Sequence, residues 1–290
     1  MKVEENMKYL ILGVNGMAGH MIAQYLKENG QTVTGFAKNQ SAICQTIKGN
    51  AFDVKDIGKV LASDDYDYVV NCIGVLNQFV DANPAEGIFL NSVLPHLLAE
   101  KLVDKKTKLI HISTDCVFEG TKGQYHENDI PDATSYYGRS KMLGEVVDDK
   151  NLTIRTSIVG PELKKEGIGL FHWFMSQTDY VYGYEKVLWT GVTTLQLAKF
   201  IEMDRENPHT GLYHLVNNKI ISKHDLLELF NRYCRKHPIQ IRSDKKIVSD
   251  KSLVNTRKDK AAIPDYQTMV IELENWITEH SAIYKQYKGV

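Results

Sequence analysis

Cysteine is scarce in this sequence and lacks the spacing of a metal or disulfide site. The four cysteines are scattered without a Cys-x-x-Cys pair, a pattern that favours reduced thiols over a disulfide framework or a zinc site. The ten histidines are equally dispersed and form no ligand pair. We therefore predict no metal from the sequence. The cysteines are Cys44, Cys72, Cys116 and Cys234.

Long apolar runs and an excess of charge of either sign are also missing. No run approaches the roughly 20 apolar residues of a membrane span, and residues 1–6 lack the apolar stretch of a signal peptide. The net charge of −1 gives no electrostatic reason to expect a nucleic-acid or membrane partner. With 290 residues, 43% of them apolar, the chain can form one large or two small domains. We expect a cytoplasmic globular protein.

A glycine-rich turn follows the first strand-like segment. Residues 8–12 have the apolar pattern of a short buried strand, and residues 20–26 have helical apolar spacing. Between them stand Gly13, Gly16 and Gly19, in the order strand, glycine turn, helix that a dinucleotide site requires. Gly13 would allow the tight turn, Gly16 the approach of a pyrophosphate, and Gly19 close packing of helix on strand. Alone, the motif is also consistent with a simple tight connection.

Tyr137 and Lys141 form a second motif, about a hundred and twenty residues downstream. Residues four apart share one face of a helix. The ammonium could then favour the phenolate form of a phenol that otherwise titrates near ~10, and could hold a ribose as well. Such a pair also arises by chance on helix surfaces. Its combination with the glycine turn indicates nucleotide-dependent redox chemistry on a carbonyl.

The first half alternates short apolar strands with helices, which predicts parallel β-α units. We expect strands at residues 9–12, 32–36, 68–72, 108–113 and 153–158, and helices at residues 56–62 and 84–102. The segment 143–147 is expected to continue the helix of Tyr137. Beyond Pro161 we expect helices at residues 194–203 and 271–277, a strand at residues 212–216, and a helix capped by Ser222 and running through Arg232.

Residues 112–118, Ile-Ser-Thr-Asp-Cys-Val-Phe, are similar to the Ser-Thr-Asp-x-Val-Phe segment that leaves the strand before the catalytic helix of extended short-chain dehydrogenase/reductases. With Tyr-Gly-x-Ser-Lys at residues 137–141, the chain resembles that family, and within it the dTDP-4-dehydrorhamnose reductase group. The resemblance covers nearly the whole chain. It implies an α/β fold with a doubly wound parallel sheet of the Rossmann type at residues 1–160. Residues 161–290 would form a smaller substrate-binding α/β lobe, with some segments returning to the sheet.

The resemblance also implies roles for individual residues. Thr114 would hydrogen-bond the substrate oxygen, Tyr137 would donate a proton, and Lys141 would tune Tyr137 and bind ribose. Asp115 would contact a sugar hydroxyl, although it is also consistent with a turn residue bonded to its own backbone. Arg257 could meet the substrate pyrophosphate, and a solvated surface arginine is the alternative.

The cofactor implied is NADPH, with NADH as the alternative. The second strand ends without the acid that binds the ribose 2′-hydroxyl of NAD, and Lys38 there could pair with a 2′-phosphate. Asp53 matches the family's adenine-contacting acid, and Asn91 matches a helix asparagine near the lysine whose role could be structural. The full set of cofactor residues is Gly13, Asn15, Gly16, Met17, Ala18, Gly19, Lys38, Asp53, Val54, Cys72, Ile73, Gly74, Asn91, Ser113, Tyr137 and Lys141.

By resemblance the reaction is reduction of the 4-keto group of a nucleotide-linked 6-deoxyhexose, with the sugar and the base left open. Related dehydratases use an Asp-Glu pair after the threonine, and Cys116 in the second position is a poor general acid. An epimerase that retains its nicotinamide stays open. So does a regulatory subunit that binds nucleotide without turnover. The resemblance is also consistent with a homodimer.

Overall fold

The computed structural model describes residues 6–289 of the chain. Residues 1–5 of the N-terminal segment considered above lie outside this range. Short strands and helices alternate through the first half, as the apolar pattern predicts. The strands are β1 (Lys8–Leu12), β2 (Thr32–Ala37), β3 (Gln45–Lys48), β4 (Tyr68–Asn71), β5 (Lys108–Ile112), β6 (Leu152–Arg155), β7 (Ile158–Val159), β8 (Tyr180–Tyr184), β9 (Val187–Trp189), β10 (Val192–Thr193), β11 (Gly211–His214), β12 (Ile221–Ser222), β13 (Gln240–Asp244) and β14 (Ser249–Asp250).

Helices follow most of the long strands. The helix predicted at residues 84–102 is built as two α-helices separated by a π-helical turn at Phe89–Val93. A short 3-10 turn at Asp115–Val117 follows β5. No helix within residues 6–289 is long and apolar enough to span a bilayer. The α-helices are α1 (Met17–Glu28), α2 (Val54–Leu61), α3 (Asn77–Ala82), α4 (Pro84–Ile88), α5 (Leu94–Lys101), α6 (Tyr136–Leu143), α7 (Leu170–Met175), α8 (Thr194–Met203), α9 (Lys223–Tyr233) and α10 (Tyr266–Glu279).

A seven-stranded parallel sheet with the order β11-β6-β5-β4-β1-β2-β3 forms the centre of the molecule. Successive side chains of a strand point to opposite faces. Tyr9 and Ile11 of β1 therefore pack into one hydrophobic core with α1, α8 and α10, whereas Leu10 and Leu12 pack into a second core with α2 and α5. Both faces of the sheet are covered, which confirms the predicted doubly wound α/β fold.

Several predicted boundaries differ from the structure. Strand β3 carries no strong apolar pattern, and the sequence indicated only a possible short strand before Asp53. The strand expected at residues 153–158 is broken, because β6 stays in the main sheet whereas β7 pairs with β10. The helix expected to continue through residues 143–147 ends at Leu143, with Gly144 as its C-cap. Because the helix ends there, the chain after Leu143 leaves the helix axis and runs toward β6.

The second half of the chain contributes to the main sheet and also forms small sheets of its own. Strand β11 returns to the edge of the main sheet beside β6, in the register Gly211↔Leu152. Strands β12, β9 and β14 form a three-stranded sheet, and β13 pairs with β8. The predicted cap of α9 is present, since the Ser222 side chain accepts a hydrogen bond from the amide of Asp225 at 3.0 Å.

Candidate active site

The predicted functional residues gather at the carboxyl ends of β1, β4 and β5. In a parallel sheet these ends lie along one edge, which is where ligands bind in open α/β sheets. Gly13 follows β1, Cys72 follows β4, and Ser113 follows β5. The sheet order places β4 between β1 and β5. The glycine turn and the Ser-Thr-Asp segment therefore flank the loop after β4.

The glycine turn has the close packing that its sequence predicts. Gly13 adopts φ of +81°, a value that favours glycine. A Cβ on Gly19 would lie 2.3 Å from the Gly13 carbonyl oxygen, so α1 can start here only without a side chain at that position. Gly16 is the N-cap of α1 and makes no side-chain cap hydrogen bond, which leaves the first helix amides open to a ligand. The Asn15 amide donates to the Asn39 carbonyl at 3.0 Å and joins this turn to the loop after β2.

Lys38 and Asp53 lie on the far side of that turn. Lys38 directly follows β2, as a residue that contacts a cofactor ribose should, and its ammonium is 6.0 Å from the centre of the Phe52 ring. Asp53 is the N-cap of α2, and its carboxylate accepts a hydrogen bond from the Lys55 amide at 2.8 Å. This gives Asp53 a structural role. Its predicted contact with adenine stays a prediction, as does that of its neighbour Val54.

Asn91 fixes the loop after β4 against the helix of Tyr137. Its buried amide accepts from the Val75 amide at 3.0 Å and donates both to the Val75 carbonyl and to the Ser140 hydroxyl at 3.1 Å. The structural role left open by the sequence is therefore present. The same loop carries Gly74, where a Cβ would lie 3.8 Å from the ammonium nitrogen of Lys141. The loop backbone thus passes close to that charge.

Thr114 organises the turn that follows β5. Its hydroxyl accepts a hydrogen bond from the Cys116 amide at 3.1 Å and donates to a carboxylate oxygen of Asp115 at 3.0 Å. Burial raises the pKa of Asp115, and the positive charge of Lys223 acts in the opposite direction. Burial likewise raises the pKa of the Cys116 thiol to about 12. A thiol held protonated in this way cannot act as a base at neutral pH.

Tyr137 and Lys141 meet this turn from α6. Burial raises the pKa of the Tyr137 phenol well above its usual range, while a hydrogen bond with the Thr114 side chain acts in the opposite direction. The sequence predicted that Lys141 would favour the phenolate, but the net change is upward because burial dominates. Burial also lowers the pKa of Lys141 to about 8, and its ammonium donates to the Ile112 carbonyl at 2.7 Å.

The close approach of α6 to the turn depends on Gly138, which stands between these two residues in the helix. A Cβ on Gly138 would lie 2.3 Å from the Cys116 carbonyl oxygen. The helix can therefore rest directly on the Asp115–Val117 turn only because this position lacks a side chain. The glycine within Tyr-Gly-x-Ser-Lys thus brings Tyr137 next to Thr114.

A buried ion pair between Glu145 and Arg155 contacts Ser113, just before the Asp115–Val117 turn. The Ser113 hydroxyl donates to Glu145 at 2.8 Å, and Glu145 accepts two hydrogen bonds from the Arg155 guanidinium, both at 2.7 Å. The Arg155 and Glu145 side chains are only 3% and 6% exposed. The charge of Glu145 also raises the pKa of Lys141 against the effect of burial. Ser113, predicted to contact the cofactor, therefore has its hydroxyl directed to Glu145.

Arg257 is not brought to this group of residues. Its guanidinium donates to both carboxylate oxygens of Asp259, at 2.8 and 2.6 Å, and to the carbonyls of Thr210 and Leu212. These carbonyls lie at the start of β11, whereas Thr114 follows the end of β5. Strands β5, β6 and β11 are parallel, so the start of β11 and the end of β5 lie at opposite ends of the strands. The structure therefore does not bring Arg257 to the candidate site, and its contact with the substrate stays a prediction without support from this geometry.

Two charged residues near the site were missed by sequence reasoning. Glu145 lies four residues after Lys141, a spacing that could have pointed to it, although the helix ends before reaching it. Lys223 directly follows Ser222, whose capping role was predicted, but nothing in the local sequence ties it to Asp115. Within residues 6–289, no group of three or more His, Cys, Asp or Glu side chains is arranged to hold a metal ion.

Comparison with known proteins identifies the family of this chain. The family described as the RmlD substrate binding domain matches residues 7–282. The chain belongs to this family. The match extends over both the sheet and the second half of the chain, and it confirms the resemblance inferred from the motifs.

Curated relatives match about half of the chain. A probable low-salt glycan biosynthesis reductase of Haloferax volcanii is 33% identical over 157 residues, which are 51% of this chain and 52% of that protein. The methionine adenosyltransferase 2 subunit beta of Xenopus tropicalis is 27% identical over 137 residues, 47% of this chain and 41% of that protein. The chain thus spans about half the length of the curated relatives it matches.

A solved structure matches almost the entire fold. The dTDP-4-dehydrorhamnose reductase of Bacillus anthracis, in complex with NADP, superposes with a TM-score of 0.78. The match covers 93% of this chain and 99% of that one, at 16% identity. At this identity the likeness shows the Rossmann-like fold of the chain and nothing further.

Proposed function

We propose that the protein is an NADPH-dependent reductase of the 4-keto group of a nucleotide-linked 6-deoxyhexose. The observation that carries the proposal is the convergence of Thr114, Tyr137 and Lys141 at the carboxyl end of β5, beside the glycine turn after β1. The names of the similar proteins, a glycan biosynthesis reductase and a dTDP-4-dehydrorhamnose reductase, support this reaction class.

The residues along this edge of the sheet fit a dinucleotide. The first amides of α1 follow a glycine cap and suit a pyrophosphate. Gly74 lets a ligand approach the Lys141 ammonium, which we assign to the ribose. Lys38 is assigned to a 2′-phosphate, and the NADP in the Bacillus anthracis structure supports NADPH over NADH. A nicotinamide dinucleotide held there supplies the hydride. The remaining assigned contacts are Asn15, Met17, Ala18, Asp53, Val54, Cys72, Ile73, Asn91 and Ser113.

Tyr137 is assigned as the proton donor. Its raised pKa keeps the phenol protonated at neutral pH, which a donor to a developing alkoxide requires. Thr114 hydrogen-bonds the same substrate oxygen. Lys141, with a pKa of about 8, remains mostly protonated at neutral pH and stabilises the phenolate that proton transfer leaves. One proton thus leaves Tyr137 as the substrate carbonyl becomes an alcohol.

The two halves of the chain have different proposed roles. We assign residues 1–160 to dinucleotide binding and residues 161–290 to the substrate, except that β11 belongs to the main sheet. The substrate-side lobe includes the three-stranded sheet of β12, β9 and β14. We further propose a cytoplasmic homodimer without nucleic-acid or membrane partners.

A regulatory subunit without turnover is the second candidate, because methionine adenosyltransferase 2 subunit beta is among the similar proteins. The intact group of Thr114, Tyr137 and Lys141 favours an enzyme. Cys116 places a thiol where a dehydratase carries the carboxylic acid of its Asp-Glu pair, which argues against a dehydratase. An epimerase shares the same residues and differs in retaining its nicotinamide.

The test is NADPH oxidation, followed by absorbance, with a panel of dTDP-, UDP- and GDP-linked 4-keto-6-deoxy sugars and with NADH for comparison. Oxidation with one sugar supports the reductase and identifies the substrate. Tight NADPH binding without oxidation of any sugar would instead favour the epimerase or the regulatory subunit.

Tyr137→Phe should lower turnover about 10²- to 10⁴-fold, the usual contribution of a general acid, while NADPH affinity stays nearly unchanged. Tyr136→Phe is the matched control, because Tyr136 is the neighbouring residue and its side chain is 56% exposed. The control should keep wild-type turnover. Equal activity of the Tyr137→Phe and Tyr136→Phe variants would contradict the assigned mechanism.

A further inference from the structure

Lys223 from the second half of the chain lies beside the candidate active site. It is the first residue of α9, directly after β12, and its ammonium is 5.0 Å from the centre of the Trp189 ring. Strand β12 pairs with β9 through Ile221↔Trp189, which fixes the start of α9 on the three-stranded sheet. The position of Lys223 is therefore set by sheet pairing and by the Ser222 cap.

This small sheet is tied to the segment that follows the Asp115–Val117 turn. The Asp250 amide of β14 donates to the Gly120 carbonyl at 2.9 Å, and the Tyr125 amide donates to the Ser252 carbonyl at 2.8 Å. The Leu253 amide donates to the Thr190 hydroxyl at 2.7 Å. These contacts hold the lobe against the turn, so that Lys223 interacts electrostatically with Asp115 and Cys116.

The Lys223 ammonium and the Asp115 carboxylate have unused hydrogen-bonding capacity. Within residues 6–289, Lys223 donates no side-chain hydrogen bond and makes no ion pair within 4.0 Å. Burial lowers its pKa to about 8, opposed by the negative charge of Asp115. Asp115 accepts a hydrogen bond from Thr114 on one carboxylate oxygen. Lys223 is only partly buried, so its ammonium is accessible to a ligand that lies against Asp115. A ligand with a hydrogen-bond acceptor could therefore use it.

We propose that Lys223 and Asp115 together bind the sugar 3-hydroxyl of the substrate, the hydroxyl donating to Asp115 and accepting from Lys223. The inference rests on the proposed function, which places C4 of the sugar at Thr114 and Tyr137. In a 4-keto-6-deoxyhexose, the carbons next to C4 are C3, which bears a hydroxyl, and C5, which bears the methyl group. A hydroxyl is both donor and acceptor, so it can bridge a carboxylate and an ammonium that do not touch. Lys223 is thereby a specificity-determining residue for the sugar.

The experiment measures binding and turnover of Lys223→Met, which keeps most of the stem and removes the charge. Lys219→Met is the matched control, because Lys219 is an exposed lysine four residues earlier. Both variants are compared with the wild type for NADPH affinity and for affinity toward the three nucleotide-linked 6-deoxyhexoses. Affinity for the free nucleoside diphosphates dTDP, UDP and GDP is measured in the same way. Affinity is also measured for the 3-deoxy analogue of the sugar nucleotide that binds most tightly.

We expect Lys223→Met to weaken sugar-nucleotide binding about 10- to 100-fold, as loss of a hydrogen bond to a charged group does. NADPH and nucleoside diphosphate affinities should stay within about twofold, and Lys219→Met should match the wild type. With the wild type, the 3-deoxy analogue should lose at least the factor that Lys223→Met loses, because it lacks the contacts with both Lys223 and Asp115. With Lys223→Met the analogue should lose less than with the wild type, because only the Asp115 contact remains to be removed. Lys223→Arg, which restores the charge, should recover part of the affinity and excludes a folding defect as the cause.

Three outcomes would overturn the inference. Equal weakening of nucleoside diphosphate and sugar-nucleotide binding would assign Lys223 to the phosphates. Additive losses from Lys223→Met and from the 3-deoxy sugar would show that the two groups do not meet. Wild-type binding that does not distinguish sugar nucleotides from nucleoside diphosphates would remove the sugar site. Selective sugar binding without NADPH oxidation would contradict the reductase alone and leave Lys223 in its role.

Discussion

Replacing Glu145 by glutamine is expected both to destabilise the fold and to lower the pKa of Lys141 in the active site. The Glu145 carboxylate accepts hydrogen bonds from Ser113 and, through both of its oxygens, from Arg155. The Arg155 side chain is only 3% exposed, so water cannot replace the lost charge. Glutamine has a similar shape but presents an amide group toward the guanidinium. The variant therefore leaves a buried cation without its counter-ion.

The size of the effect follows from this burial. Breaking a buried ion pair by removing one partner costs about 3–5 kcal/mol. A chain of 290 residues unfolds with an entropy of about 0.6 kcal/mol per kelvin, from about 2 cal/mol per kelvin for each residue. The unfolding midpoint of Glu145→Gln should therefore fall by about 5–8 °C. The pKa of Lys141 should also fall below about 8, because Glu145 raises it in the wild type.

Thermal unfolding followed by circular dichroism measures the midpoint. Asp64→Asn is the matched control, since it makes the same chemical change in the exposed pair between Lys8 and Asp64, whose side chains are 43% and 39% exposed. Exposed ion pairs contribute little to stability, so the unfolding midpoint of Asp64→Asn should move by no more than about 1 °C. A Glu145→Leu, Arg155→Met double variant removes both charges and should lose less than Glu145→Gln alone. Equal midpoints for Glu145→Gln and Asp64→Asn would refute this account of the buried pair.

Two further predictions concern the glycine turn and the buried lysine. Gly19→Ala places a Cβ 2.3 Å from the Gly13 carbonyl oxygen and should weaken NADPH binding at least about tenfold, measured by titration, whereas Gly58→Ala, with no atom within 4 Å of its Cβ, should leave binding unchanged. Burial lowers the pKa of Lys141 from 10.5 to about 8, so between these pH values the unfolded chain holds a proton that the folded protein has released, and stability rises with pH. Lys141→Met should remove this rise in cofactor-free urea unfolding; a rise identical to that of the wild type would contradict the shift.

Local sequence patterns were sufficient for most elements of the first half. Strands such as β1 and β4 are short apolar runs, and their type follows from the side chains they carry. The cap of α9 was also predictable, because Ser222 and Asp225 bond to each other within one turn. The bounds of strand β3 could not be predicted, because its four residues, Gln45–Lys48, are stabilised by pairing with β2 rather than by an apolar pattern.

The functional residues also divide into those that a local pattern predicts and those that depend on distant neighbours. Thr114, Tyr137 and Lys141 could be proposed because each belongs to a compact motif. The position of Arg257 could not be predicted, because a lone arginine carries no information about the end of the strands at which its neighbours place it. The partner of such a residue lies far along the chain, as Leu212 does for Arg257.

The sequence by itself determined the alternation of strands and helices, the glycine turn, and the family to which the chain belongs, since these depend on side chains close together along the chain. The tertiary structure alone decided that Arg155 neutralises Glu145, that α6 rests on the turn after β5, and that Lys223 interacts electrostatically with Asp115. These contacts join residues separated by 10 to more than 100 positions. Their formation depends on sheet order and on helix docking, which no local pattern specifies.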